Sequence, residues 1–167
     1  MLFRPEEPID YTAVYAVNAA AFETPAEANL VEVLRKEAHP YISIVAEEDG
    51  EIVGYIMFSP VTLSDHADLK IMGLGPVAVL PERQRRGIGS SLVTEGLKKC
   101  KELGFGSCVV LGHREFYPRF GFIPSVRYGI GCEYDVPPEV FMVKELQPSY
   151  LQGAQGIIQF HPAFNGV

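Results

Sequence analysis

Cysteine is scarce in this chain of 167 residues, and long apolar runs are absent. The three cysteines, Cys100, Cys108 and Cys132, show no C-x-x-C spacing, and two of them fall on apolar faces. We therefore expect buried free thiols rather than a disulfide or a metal site. No apolar run approaches the ~18 residues that a membrane span needs. The stretch Met1–Glu7 has no basic region followed by an apolar block, which predicts a cytoplasmic protein without a secretory signal.

Basic residues are also fewer than acidic ones: the chain has 14 Lys and Arg and 21 Asp and Glu, which gives a net charge of −7. Binding to the phosphate backbone of a nucleic acid needs clustered excess cations, so we expect no nucleic-acid partner. One local exception is the cationic cluster of Arg83, Arg85 and Arg86, which a single polyanionic cofactor would explain. The length suits one domain, and we predict a single domain over residues 1–167.

Spacing argues against three other kinds of site. The histidines lack the i, i+3 or i+4 pairing that would place two metal ligands on one helix face, so no metal site is expected. Gly73–Ala78 matches the dinucleotide fingerprint G-x-G-x-x-A, but that fingerprint needs a helix immediately after it. Pro76 and the run to Val79 continue a strand instead, which argues against a dinucleotide-binding site. Gly87–Gly89 lacks the Lys-Ser/Thr end of a P-loop, which argues against nucleoside triphosphate hydrolysis.

Apolar periodicity and turn residues predict an α/β chain. Asp49-Gly50 between two β-rich runs predicts a tight hairpin. Thr24 suits the N-cap of a helix that has Pro25 at its first position and Glu27 in a capping box. Pro76 removes a hydrogen-bond donor from a long strand and predicts a bulge or an opening of the sheet. We predict a loop over 62–70, helices over 9–20, 25–39 and 88–103, and strands over 1–4, 41–47, 51–59, 70–80, 107–112, 127–133, 140–146 and 157–160.

The segment Gln84–Ser91 is the most informative part of the chain, because it joins an apolar strand to an amphipathic helix. The first N–H groups of a helix lack intrahelical partners and lie at the positive end of its dipole. An anion therefore binds there without a dedicated side chain. Gly87 and Gly89 let that anion approach the backbone, and Arg85 and Arg86 add charge and paired hydrogen bonds.

Two motifs carry a resemblance to a known family. Gln84-Arg85-Arg86-Gly87-Ile88-Gly89 resembles the Q/R-x-x-G-x-G/A signature of the GNAT superfamily of N-acyltransferases. Further along the chain, Tyr117-Pro118-Arg119-Phe120-Gly121-Phe122 resembles the Y-x-x-x-G-F segment of the same superfamily. The stretches Phe58–Val61, Leu74–Val79 and Phe160–Phe164 resemble a bacterial, YhbS-like branch of acetyltransferases. The similarity covers nearly the whole chain.

The resemblance implies an α/β GNAT fold, with a mixed and mostly antiparallel sheet of about seven strands and helices on both faces. It implies an N-acetyltransferase that moves an acetyl group from acetyl-CoA, its co-substrate, directly to an amine of a small molecule or peptide. A homodimer is compatible with it. Two alternatives stay open, a non-catalytic acyl-CoA-binding sensor or scaffold and an acyltransferase that uses another acyl-CoA.

The resemblance also implies roles for individual residues. Tyr117 would lie beside the sulfur of coenzyme A and protonate the departing thiolate, the alternative being an ordinary half-buried tyrosine in an aromatic cluster. Backbone N–H groups of Arg86–Ser91 would hold the pyrophosphate, and main-chain groups of Val77 and Val79 would pair with the pantetheine arm as an added strand. An N–H near Val79 would polarise the thioester carbonyl. The expected coenzyme A contacts are Val77, Ala78, Val79, Gln84, Arg85, Arg86, Gly87, Ile88, Gly89, Ser90, Ser91, Gly112 and Phe120.

The base that would accept the proton of the amine is not assigned by the sequence. Glu47, Glu48 and Glu115 are candidates that no pattern ranks. His113 follows a predicted strand at a sheet end and is a secondary candidate for a site residue, with a surface or capping role as its alternative.

Overall fold

The computed structural model describes all residues, 1–167. The sheet has nine strands, two more than the approximate number expected, and no helix is long and apolar enough to cross a membrane. The helices are α1 Tyr11–Ala21, α2 Ala26–Glu37 and α3 Ile88–Glu102. The strands are β1 Leu2–Pro5, β2 Ile42–Glu48, β3 Glu51–Leu63, β4 Ile71–Val79, β5 Ser107–Leu111, β6 Ile123–Pro124, β7 Ile130–Cys132, β8 Phe141–Glu145 and β9 Gly156–Gln159.

The chain divides into two compact units, each assembled from separate stretches of sequence. The first unit contains Met1–Ser59, Gly75–Gly96 and Pro162–Val167, and the second contains Pro60–Leu74 and Leu97–His161. Two strands, β3 and β4, therefore contribute residues to both units. The assignment of residues 1–167 to a single domain stays a prediction.

In the first unit the strands lie in the order β1-β2-β3-β4, and β2 pairs antiparallel with both β1 and β3. Asp49 and Gly50 have φ values of 52° and 79°, the left-handed conformation that a two-residue hairpin turn requires, so the predicted hairpin is confirmed. One face of the sheet packs against α1 and α2 through an apolar cluster that includes Val14, Leu34 and Tyr55.

Helix α3 lies on the opposite face of β3. Alternate residues of a strand face opposite sides, so Tyr55 packs toward α1 and α2 while Gly54 and Phe58 lie under α3. A Cβ added at Gly54 would lie 3.0 Å from Ile88, and a Cβ at Gly96 would overlap the Phe58 ring. The two glycines thus allow a close approach of helix to strand, and helices cover both faces of the sheet as expected.

In the second unit the strands lie in the order β3-β4-β5-β8-β6, with β9 paired to β3 and to β7. β4 and β5 are parallel, and β8 is antiparallel to both of its neighbours. The register of β4 with β5 runs from Ile71 to Leu74 and stops before Gly75 and Pro76. The predicted opening of the sheet near Pro76 is therefore confirmed.

Three local predictions about strands were wrong. Thr62 and Leu63 were expected in a loop, but they continue β3 because β9 supplies hydrogen-bond partners there. Arg127 was expected in a strand and lies in the 3-10 helix Ser125–Tyr128. The two-residue strand β6 was not expected, since it is too short to show an alternating pattern.

The start of α2 lies one residue later than predicted. Pro25 precedes the helix instead of occupying its first position, and the Thr24 hydroxyl accepts a hydrogen bond from the Ala26 N–H at 3.3 Å. Pro25 is the N-cap residue, so the prediction of Thr24 as the N-cap in a capping box with Glu27 was wrong. Glu27 lies in the first turn, where its negative charge interacts favourably with the positive end of the helix dipole.

Two of the three free cysteines are enclosed by the protein. Cys100 and Cys108 are buried, as expected, and Cys132 is half-buried. Burial raises the pKa of the Cys100 thiol to about 12 and raises the pKa of Cys108 well above its ordinary value. Both thiols therefore stay protonated and unreactive near neutral pH.

Candidate functional site

The turn that precedes α3 presents a row of unpaired backbone N–H groups. Arg85 and Gly87 have φ values of 64° and 80°, so the backbone turns sharply on either side of Arg86. The N–H of Ser91 donates to the Gly87 carbonyl at 3.1 Å, which begins the hydrogen-bond ladder of α3. The N–H groups from Gly87 to Ser90 come before that ladder and lie at the positive end of the helix dipole. This part of the structure fits the predicted anion turn.

The backbone at Gly87 favours glycine, because its positive φ is a conformation that other residues adopt with strain. A Cβ built there would meet no atom within 4 Å, so packing does not exclude a side chain. The space over the turn is therefore open, and a bound group can reach the backbone from that side.

The three arginines of the turn differ in their partners. Glu48 lies at the end of β2. Its Oε2 accepts a hydrogen bond from Arg86 Nη2 at 3.1 Å, and its Oε1 lies 3.3 Å from Arg83 Nε. Arg85 is exposed and makes no ion pair, so its charge is the least neutralised of the three. The charge of Arg85 is therefore the most available to an anion, whereas Arg83 and Arg86 are paired with Glu48.

One edge of β4 is unpaired where it approaches this turn. The Leu80 N–H donates to the Val53 carbonyl of β3 at 2.9 Å. Because backbone groups alternate sides along a strand, those of Val77 and Val79 point away from β3. The pairing with β5 ends at Leu74, so the edge from Gly75 to Val79 is free.

The side chain of Gln84 binds the free edge of β4. Its side-chain amide donates to the Val79 carbonyl at 3.1 Å, which satisfies one acceptor of the free edge and ties the turn to the strand. The side chain of Ala78 is buried in the apolar cluster with α1 and α2. By the same alternation its main-chain groups point toward β3, so Ala78 offers no hydrogen-bonding group to a ligand at the free edge.

Tyr117, in the second unit, is 5% exposed and packs edge-on against the rings of Phe116 and Phe122. Burial, and then the nearby Cys108 thiol, raise the pKa of Tyr117 to about 12. Its hydroxyl has no hydrogen-bond partner in the protein and is not among the enclosed unpaired polar atoms, so it remains open to a ligand or to water. Tyr117 therefore lies in an aromatic cluster, but it is buried where the alternative expected a half-buried ring.

Two other predicted residues lie in the same part of the second unit. The Gly112 N–H donates to the Val140 carbonyl at 2.9 Å, and a Cβ at Gly112 would come within 2.8 Å of the Tyr117 ring. Phe120 is half-buried and packs on Phe116. The side chain of His113 is exposed, and its carbonyl accepts the N–H groups that begin the turn carrying Tyr117, which agrees with the capping alternative.

The carboxylates considered as bases are mostly engaged elsewhere. Glu47 accepts two hydrogen bonds from Arg4, at 2.8 and 3.1 Å, and Glu48 is held by Arg83 and Arg86. Glu115 is 85% exposed, with Arg114 at 3.7 Å. None of them is a free carboxylate in a protected position, so the geometry assigns no base. No group of three or more His, Cys, Asp or Glu side chains is arranged to hold a metal ion.

Sequence reasoning missed the pairing role of Glu48 and considered it only as a base. The hairpin at Asp49-Gly50 was a usable signal, because it places Glu48 opposite Glu51 at one end of the sheet. Arg83 lies 3.7 Å from Glu51 as well, so both acidic residues of the hairpin end meet the cationic turn.

Comparison with known families and proteins gives a consistent result. The sequence model of the acetyltransferase (GNAT) family matches residues 11–122. The uncharacterized N-acetyltransferase YhbS of Escherichia coli K12 is 36% identical over 166 residues, which cover 99% of each chain. The uncharacterized N-acetyltransferase YjhQ of the same strain is 35% identical over 153 residues, which cover 86% of this chain and 84% of YjhQ.

Solved structures agree with the sequence relatives. The crystal structure of Escherichia coli YhbS in complex with CoA superimposes with a TM-score of 0.93 and 35% identity, covering 98% of this chain and 91% of the other. A GNAT family acetyltransferase from Brucella melitensis in complex with acetyl-CoA gives a TM-score of 0.80 and 36% identity, covering 98% and 97% of the two chains.

Proposed function

This chain belongs to the acetyltransferase (GNAT) family, and from that premise we propose that it transfers an acetyl group from acetyl-CoA directly to an amine. One observation carries the proposal. A strand with a free edge, Gly75–Val79, runs into a turn of unpaired N–H groups at the start of a helix. Such an arrangement suits a long ligand with a hydrogen-bonding arm and an anionic end.

The anionic end would be the pyrophosphate of coenzyme A. The N–H groups from Gly87 to Ser90 supply donors, and the exposed Arg85 supplies charge that no carboxylate neutralises. The Brucella melitensis relative, which was solved with acetyl-CoA, supports the choice of ligand.

The arm would be the pantetheine group, lying along the free edge of β4. The main-chain groups of Val77 and Val79 face that edge and would pair with its amides as a neighbouring strand would. Gln84 already donates to the Val79 carbonyl. The Val79 N–H faces the unpaired edge and would be free to donate to a ligand. A free N–H in this stretch would stabilise the negative charge that develops on the thioester oxygen.

The transfer needs no covalent enzyme intermediate. The lone pair of the amine attacks the thioester carbonyl carbon, the C–N bond forms, and the C–S bond then breaks to release coenzyme A as a thiolate. The thiolate takes a proton, for which we propose the Tyr117 hydroxyl, and the amine loses one to solvent or to a base that we leave unassigned.

Binding at the turn is tested by melting experiments and calorimetry. Acetyl-CoA at a hundredfold excess over Kd should stabilise the protein by about 2.7 kcal/mol, and NADH should not stabilise it. Gly89→Asp should abolish this effect, because a carboxylate would occupy the place of the pyrophosphate. Thr94→Asp adds the same charge at an exposed position further along α3 and should retain it. Equal affinity for acetyl-CoA in the two variants would contradict the assignment of the turn.

Turnover is tested by screening primary amines for release of the free thiol of coenzyme A. At least one class of amine should accelerate that release over the rate with acetyl-CoA alone. Tight binding of acetyl-CoA without turnover on any amine, thiol or alcohol would instead favour an acyl-CoA-binding sensor.

A further inference from the structure

The C-terminal segment Pro162–Gly166 forms a 3-10 helix that belongs to the first unit and packs against α2. Ala163 and Phe164 lie against the apolar cluster of α1, α2 and the sheet, and the Val167 N–H closes the turn by donating to the Phe164 carbonyl at 3.2 Å. The ring of Phe164 is therefore held in place by packing and by backbone hydrogen bonding.

That ring stands at the far end of the free edge of β4. Gly75 has a φ of 153° and is half-buried, and a Cβ built on it would have one heavy atom within 4 Å, Phe164 Cε1 at 3.7 Å. The ring of Phe164 is thus the one group that bounds the space on the Cβ side of Gly75 at short range.

This space is where the acyl group would lie. The anion turn follows β4 in the chain, so a ligand anchored at the turn runs back from Val79 toward Gly75. A strand rises ~3.3 Å per residue, which places Gly75 roughly 13 Å from Val79. The thioester end of the bound molecule would then point at the space that Phe164 closes.

We propose that Phe164 sets the length of the acyl group that the enzyme accepts, restricting it to short chains such as acetyl. The inference rests on the proposed function, because it takes the direction of the ligand from it. A longer chain would have to displace a ring that packs against α2 and the core cluster, and that displacement costs affinity. Removal of the ring would open an apolar space beside the same core.

The test is calorimetric titration of CoA, acetyl-CoA and butyryl-CoA, with the Kd ratio of butyryl-CoA to acetyl-CoA as the readout. In the wild type this ratio should be at least ~10. In Phe164→Ala it should fall to ~1 or below, since each methylene that enters an apolar space is worth roughly fourfold in Kd. Phe164→Leu, which keeps most of the packing, should give an intermediate ratio even where the alanine variant is too unstable to titrate.

The matched control is Phe22→Ala. Phe22 packs against the same apolar cluster, but it is not within 4 Å of the Cβ position of Gly75. Its truncation should lower stability and leave the ratio at the wild-type value. An unchanged ratio in both Phe164 variants, with CoA still bound, would overturn this inference alone. Failure of the wild type to bind CoA or acetyl-CoA would overturn the proposed function together with it.

Discussion

Tyr117, the proposed acid, has a raised pKa that affects this role in two opposite ways. Its raised pKa, about 12, keeps the hydroxyl protonated at every physiological pH, which an acid needs. The same shift makes proton loss harder. Relative to a thiol with a pKa near ~8.5, donation from Tyr117 is uphill by roughly 5 kcal/mol unless the bound ligand favours the tyrosinate. Since a thiolate is a good leaving group, the acid contributes less here than an acid does with a poorer one.

We predict that Tyr117→Phe lowers kcat by roughly 10- to 100-fold and changes the Kd of acetyl-CoA by less than about twofold. The variant removes one hydroxyl and retains the ring that packs on Phe116 and Phe122. Steady-state kinetics with an acceptor from the amine screen and calorimetry provide the two numbers. A kcat within about threefold of wild type would assign Tyr117 to the aromatic core alone.

The pH profile of the wild type offers an independent check on the same residue. In the proposed role Tyr117 donates only when protonated, so its contribution would be lost as pH rises through its pKa. With that pKa near 12, kcat should not fall between about pH 7 and 10. A falling limb near pH 9 that disappears in the phenylalanine variant would show that the pKa of Tyr117 in the complex is far lower.

The role of a residue could be predicted from the sequence when its partners lie within a few positions of it. The N–H turn follows from Gly87, Gly89 and the helix that comes next, all within a few positions. The pairing of Glu48 with Arg86 joins residues far apart in the sequence and depends on where the hairpin end lies against the turn. The hydrogen bond from Gln84 to Val79 is local, yet it requires the exact path of the turn, which the sequence motif does not contain.

At the scale of elements, the packing of α3 on β3 determines the position of the turn that precedes α3. Gly54 lies under Ile88 at the start of the helix, and Gly96 lies over the Phe58 ring further along it. A side chain at either glycine must push the helix outward or move its neighbour. The turn would move with the helix, because Ile88 is the first residue of α3.

We predict that Gly96→Ala lowers the free energy of unfolding by about 1–3 kcal/mol and weakens acetyl-CoA binding, because the new methyl group overlaps the buried Phe58 ring. Urea denaturation and calorimetry measure the two effects. Phe58→Leu in the same chain removes the overlapping ring edge and should restore part of both. Additive effects of the two substitutions would show that Gly96 and Phe58 do not interact.

Strands were predictable where the pattern was long or was interrupted by an unusual residue. Pro76 within a run of β-formers predicted where β4 leaves β5, because a proline lacks the N–H that a ladder needs. The extension of β3 through Leu63 was not predictable, since it depends on β9, which lies almost a hundred residues away. The strand β6 is stabilised by its pairing with β8 rather than by its own two residues.

At the scale of the whole molecule, a partly buried ion-pair network ties the start of the chain to the sheet. Arg4 in β1 donates to both Asp10 carboxylate oxygens, at 2.8 and 3.0 Å, and to Glu47 in β2. Asp10 is 5% exposed and also accepts the Glu7 N–H at 2.8 Å. These hydrogen bonds, those from Arg4 above all, hold the pKa of Asp10 below its ordinary value. Loss of the carboxylate would leave a partly buried guanidinium with one partner fewer.

We predict that Asp10→Asn lowers the free energy of unfolding by about 1–3 kcal/mol at neutral pH. The pKa of Asp10 is lower in the folded than in the unfolded protein, so its charged form stabilises the fold above the unfolded value of ~3.9. That contribution is lost as pH falls through the folded pKa. Urea denaturation at pH 7, 5 and 3 should therefore show the difference from wild type shrinking at the lowest pH. The control Glu23→Gln changes an exposed carboxylate and should have little effect on the free energy of unfolding at any of these pH values. A difference between Asp10→Asn and wild type that stays constant with pH would contradict the link between the pKa of Asp10 and stability.

The turn at Gln84–Ser91 also has a genetic consequence. Its donors are main-chain N–H groups, which no missense change except one to proline can delete. Such a site is lost mainly by gaining atoms, and Gly87 and Gly89 are the positions where atoms would be gained. Every missense single-base change in a glycine codon adds a side chain. If the turn binds the anion as proposed, random mutagenesis under selection for activity should deplete variation at these two codons more deeply than at those of Arg85 and Arg86, whose guanidinium groups would only adjust the strength of binding.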